Sequence, residues 1–107
     1  MTDFLQLVTT IDSEEGARLI ARRLVEARLA ACVQIAGPIS STYIWQGRVE
    51  TAREWQCLIK TRRELYAAAT TVIKDLHPYE VPEILVFSII AGDESYLNWL
   101  EETLPAE

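Results

Sequence analysis

The stretch from Ala30 to Thr61, AACVQIAGPISSTYIWQGRVETAREWQCLIKT, constrains the fold more than any other part of the chain. Apolar and polar residues alternate on both sides of Gln46-Gly47, the pattern of two strands with unlike faces. Glycine accepts the positive φ that a tight hairpin turn requires, so Gln46-Gly47 reads as a two-residue loop. That loop pairs Trp45 with Arg48 and sets Cys57 opposite Ala36 rather than Cys32, out of register for a disulfide. Gly37-Pro38 interrupts the first arm and predicts a bulge or bend, because proline cannot donate to a ladder. Arms of about 13 residues at about 3.3 Å each reach about 43 Å, against about 17–20 Å for an ordinary strand. The helices of a 107-residue chain cannot cover such a ribbon. Its outer part carries Tyr43, Ile44, Trp45, Val49 and Trp55, so another subunit is the simplest cover and a homo-oligomer is expected.

The flanking segments supply the rest of a sheet. DFLQLVTT, residues 3–10, is mostly apolar on both faces and suits a strand covered on both sides. In IDSEEGARLIARRLVEARLAA, Asp12 and Glu15 have capping-box spacing, and Glu14 and Glu15 complement the helix dipole. Ala17, Ile20, Ala21, Leu24 and Ala27 then recur at helical spacing, predicting a helix over roughly 13–28. RRELYAAATTVIKDLH predicts a second helix over residues 62–77, with Leu65, Ala68, Ala69, Val72, Ile73 and Leu76 inward. Pro78 breaks it. A buried strand should run from about Glu83 to Ala91. Asp93 should cap a short last helix that packs Tyr96, Leu97, Trp99 and Leu100. The order is β-α-β-β-α-β plus a terminal helix, in one domain over residues 1–107. This is the α+β, ferredoxin-like plan: an antiparallel sheet with both main helices on one face. The helix-free face is then where subunits would meet.

Charge narrows the function. The net charge is −6; residues 1–53 balance six acids with six bases, whereas everything after Lys74 holds eight acids and no Lys or Arg. Nucleic-acid binding needs a basic stripe, which this distribution argues against. No segment is long and apolar enough to enter a bilayer, and MTDFLQLVTT lacks the basic start and apolar run of a secretory signal, so a cytoplasmic location is expected. Cys32 and Cys57 match no zinc or redox spacing and read as half-buried strand thiols.

Little in the chain promises turnover, and no enzyme activity is expected. The four glycines, at 16, 37, 47 and 92, are too dispersed for a phosphate loop. After the first strand, TTIDSEEGAR puts acids where an acylphosphatase-like site would need an arginine. Nucleophilic catalysis would require His77, the one histidine, to meet Cys32, Cys57 or a serine. His77 sits in LHPYEVPEI, where it either caps the helix, touches a ligand, or joins Glu80 and Glu83 around a metal ion. Lys60, Arg62 and Arg63 form a small basic cluster that could hold an anion near His77, and Glu54 and Lys60 share a strand face if no bulge intervenes.

RLVEARLAACVQI, YIWQGRVETAREWQCLIKT, LHPYEVPEI and DESYLNWL occur in order at spacings that resemble the CutA divalent-cation-tolerance family, over about residues 5–100. The resemblance implies a ferredoxin-like subunit in a tight homotrimer, its hairpins wrapping neighbours in an assembly like the PII signalling trimers. It also implies tolerance to divalent metals, notably copper, with no required cofactor and no established catalysis. The alternative is a PII-like sensor that binds a small anionic ligand at subunit clefts. The candidate cleft residues are Trp45, Glu54, Lys60, His77 and Tyr79; the candidate metal ligands are His77, Glu80 and Glu83. The family usually has asparagine where Gln34 stands. Copper sites proposed for bacterial members use a cysteine and two adjacent histidines at positions that are Thr9, Leu76 and His77 here, so only His77 carries over.

Overall fold

The computed structural model describes residues 2–106. Strand β1 (Phe4–Ile11) leads through helix α1 (Glu14–Glu26) to the hairpin of β2 (Cys32–Trp45) and β3 (Arg48–Arg62). A single 3-10 turn (Arg63–Leu65) opens helix α2 (Tyr66–Leu76), followed by β4 (Ile84–Ser88) and α3 (Glu94–Thr103). The four strands form one antiparallel sheet in the order β2-β3-β1-β4. This is the ferredoxin-like arrangement expected from the element order.

Helix α1 starts one residue later than its capping-box spacing implies. Ser13, not Asp12, is the N-cap, and its side chain accepts from the Gly16 N–H at 3.0 Å. The helix also stops earlier, at Glu26, in a Schellman motif: Leu29 N–H donates to the Leu24 carbonyl and Arg28 N–H to that of Val25. Arg28 takes the left-handed position at φ 60°, a place usually held by glycine. The turn drops Ala30 into the core and hands Ala31 to the sheet, where its N–H meets the Lys60 carbonyl.

The core lies between the sheet and α1 and α2. Leu5, Leu7 and Ile11 of β1, Cys57 and Ile59 of β3, Ala17, Ile20 and Leu24 of α1, and Ala69 and Ile73 of α2 form one buried cluster. The Cys57 thiol donates to the Ala17 carbonyl at 3.8 Å, and burial pushes its pKa up to about 11. Cys57 therefore serves as a small core residue. Both cysteines are free.

The hairpin is as long as the alternation implies, and the molecule extends 44 Å along its longest axis. Gln46 and Gly47, at φ 50° and 78°, make the turn, so Trp45 pairs with Arg48. The expected bulge lies between Ala36 and Ile39, spanning Gly37-Pro38. It moves the register by one, so Cys57 faces Ile35 rather than Ala36. Gly37 is required there: a Cβ would come within 2.6 Å of Trp55 Cδ1.

Two expectations about burial fail. β4 covers only Ile84–Ser88 and is an edge strand, with Leu85 and Phe87 half exposed. Among the described residues nothing covers the face that carries Leu85 and Phe87. The face away from α1 and α2 is also not free of helix. Phe4 pairs with Arg62 on that face, and the Arg62 guanidinium reaches the Leu104 carbonyl at 2.8 Å and Glu101 at 2.7 Å. Helix α3 is thereby clamped over one end of the sheet, with Leu100 and Leu104 buried. Asp93 caps α3 as expected, but Tyr96 and Trp99 remain exposed.

Candidate functional site

The site grows out of LHPYEVPEI. Pro78 biases the residue before it out of the helical region, and His77 has ψ 132°, so α2 ends there. The turn swings the imidazole under the sheet edge. Nε2–H donates to the Thr10 carbonyl at 2.7 Å, and Nδ1 accepts the Tyr79 N–H at 3.2 Å. A carbonyl only accepts and a main-chain N–H only donates, which fixes the tautomer with its proton on Nε2. The buried ring also meets the Tyr79 ring edge-on, with centroids 4.6 Å apart.

His77 thus orients Tyr79, and Tyr79 reaches β3. Its hydroxyl donates to Glu54 Oε2 at 2.6 Å. Burial first, then the Glu54 carboxylate, hold the phenol above its ordinary pKa range, so it stays a donor. Three segments distant in sequence are joined in this way: the end of β1, the link from α2 to β4, and the middle of β3.

Above this chain of contacts lies a cleft of about 580 Å³. Ser41, Tyr43 and Trp45 of β2 form one wall; Tyr79, Glu80, Val81 and Glu83 form the other, with Glu54 at the base. The register shift explains the first wall. Beyond the bulge, Tyr43, Trp45 and Ile39 pair with Glu50, Arg48 and Glu54, and directly paired residues share a face. Tyr43 and Trp45 therefore stand on the Glu54 side of the ribbon, whereas the pair Ile44 and Val49 looks the other way.

Of the expected cleft residues, Trp45, Glu54 and Tyr79 come together. His77 lies behind them as a support, with both ring nitrogens occupied. Lys60 is not in the cleft: it lies six residues along β3 from Glu54, and its ammonium donates to Gln34 at 2.6 Å. The shared face of Glu54 and Lys60 holds, but it does not make them neighbours. The expected metal set is not assembled either. Among the described residues no group of three His, Cys, Asp or Glu side chains can hold an ion. His77 has no lone pair to offer, which leaves Glu80 and Glu83 as cleft-lining carboxylates. Tyr43 and Ser41 were missed by sequence reasoning; their shared parity with Trp45 was the available signal.

With its sheet order, two main helices and overlong hairpin, the chain is a ferredoxin-like domain. Residues 5–103 match the CutA1 divalent ion tolerance protein family. The chain belongs to that family. It is 46% identical over 96 residues to the divalent-cation tolerance protein CutA of Thermus thermophilus, covering 90% of this chain and 93% of that one. It is 40% identical to Protein CutA of Mus musculus, covering 87% of this chain but 52% of that longer protein. A solved structure from Archaeoglobus fulgidus, described as a periplasmic divalent cation tolerance protein CutA, superposes with a TM-score of 0.90. It is 39% identical and covers 94% of this chain and 98% of its own.

Proposed function

We propose that the chain acts as a cytoplasmic homotrimer in the response to divalent metal ions, holding copper or a similar ion weakly and without turnover chemistry. The observation that carries this reading is the family match across nearly the whole chain. The cleft supports a cation over an anion. Glu54, Glu80 and Glu83 line it, and no Lys, Arg or His does. A small anionic ligand, the alternative, would meet three carboxylates there, while Lys60 is turned to Gln34.

Assembly is supported by what one chain leaves bare. β2 is a 14-residue edge strand with one side unpaired, and long apolar edges are normally covered. Ile44 and Val49 are 67% and 70% exposed at the ribbon's outer end. Leu85, Phe87 and Ile90 add a second apolar area beside β4. Among the described residues no helix is long and apolar enough to cross a membrane.

Because one chain gathers no metal cage, binding should be weak and dominated by the cleft-lining carboxylates. Calorimetric titration should give a copper dissociation constant on the order of 10⁻⁴ M, the weak end for sparse oxygen sites. Copper should bind more tightly than manganese, following the usual order of divalent ions. The double variant Glu80→Gln, Glu83→Gln should lose most of that heat. Undetectable copper binding at millimolar concentration, or binding indifferent to both carboxylates, contradicts the metal reading.

A further inference from the structure

Glu54 poses a problem that a divalent ion held by Glu80 and Glu83 leaves open. It is only 5% exposed, yet none of the described Lys, Arg or His side chains forms an ion pair with it. One carboxylate oxygen takes the Tyr79 hydroxyl, and no second donor among the described residues serves the group. Burying an ionised carboxylate without a countercharge is costly, and such groups are normally paired. The cleft gives a cation access to this carboxylate.

The walls indicate what kind of cation fits. Trp45 and Tyr43 line the cleft from β2 and Tyr79 lines it from the link between α2 and β4, with Glu54 among them. Aromatic faces attract alkylated ammonium groups through the ring quadrupole while sheltering their carbon substituents. A hydrated divalent ion gains little from aromatic faces, and among the described residues no group of three His, Cys, Asp or Glu side chains gathers to hold one. The cleft's volume of about 580 Å³ is that of a small-molecule site, larger than one ion needs.

We propose that this cleft binds an organic ammonium ion, its charge against Glu54 and its alkyl groups against Trp45, Tyr43 and Tyr79. The inference goes beyond the divalent-cation reading: Glu54 and the aromatic rings carry it, whereas Glu80 and Glu83 carry metal binding.

Choline is a suitable probe, because dimethylbutanol replaces its charged nitrogen with carbon at nearly the same shape. Calorimetry on the native assembly should show choline binding, with the uncharged isostere at least about tenfold weaker. Glu54→Gln should weaken choline by a similar factor. Trp45→Leu, on a side chain already 41% exposed, should also weaken choline without disturbing the fold. Equal affinity for the isostere, no choline binding, or choline affinity unchanged in both variants overturns the proposal. A neighbouring subunit's side chain filling the cleft would appear as no choline binding, and so counts against it. Loss of copper binding with choline binding intact would instead strike only the metal reading.

Discussion

His77→Ala is expected to lower unfolding stability by about 3 kcal/mol, through lost hydrogen bonds and a residual cavity. The substitution removes one buried and one part-buried hydrogen bond and leaves both main-chain partners behind, the Thr10 carbonyl and the Tyr79 N–H. An orphaned buried polar group costs more than a hydrogen bond contributes, because its hydration is not recovered. The ring's edge contact with Tyr79 goes too, and with it the support that aims the Tyr79 hydroxyl at Glu54. The variant should therefore lose cleft affinity along with stability. Urea unfolding of variant and parent at equal protein concentration measures the first effect, since an oligomer's apparent stability depends on concentration. A loss below about 1 kcal/mol would mean that water or a moved side chain satisfies both groups.

Arg62→Met should cost about 2–3 kcal/mol and loosen α3 specifically. The Arg62 side chain is 3% exposed and lies 5.0 Å over the Phe4 ring. Its carboxylate partners Asp3, Glu64 and Glu101 are all more than half exposed, so they rehydrate when the guanidinium goes and their Coulomb share is small. The charge also has an imperfection. Nε lies 3.4 Å from Glu64 but makes no hydrogen bond in that geometry. What remains decisive is the buried bond to the carbonyl of Leu104, the residue that ends α3. Methionine keeps the apolar stem over Phe4, so the loss reports the guanidinium rather than the packing. Hydrogen exchange should accelerate at the α3 amides well before those of β1 or β3. Uniform acceleration across the domain would contradict a local clamp.

Much of this fold is written in periodicity. The helical spacing of Ala17, Ile20 and Leu24 marks the residues that α1 buries, and Gln46-Gly47 marks the turn. Pro38 marks the bulge and Pro78 the end of α2. The remainder depends on partners that alternation does not reveal. β4 reads as fully buried because both its faces are apolar, yet in one chain Phe87 is 52% exposed. Such a pattern fits the proposed burial against another copy of the chain rather than burial within one chain. The cleft was half legible. Trp45, Glu54 and Tyr79 could be nominated singly, but bringing them together depends on the one-residue slip at Gly37-Pro38, which decides the face of every outer residue. His77 was found by its uniqueness, and its role was hidden because both of its partners are backbone atoms. In sequence Arg62 reads as part of a small basic cluster that could hold an anion; the return of Glu101 and Leu104 over β3 is what engages it instead.

We read the ribbon, the bare edge of β2 and the apolar face of β4 as surfaces that other copies of the chain cover. Sedimentation equilibrium at micromolar concentration tests this directly. The account predicts a single species of three times the 12.1 kDa chain, unchanged on dilution across that range. A stable, folded monomer of 12.1 kDa would contradict it.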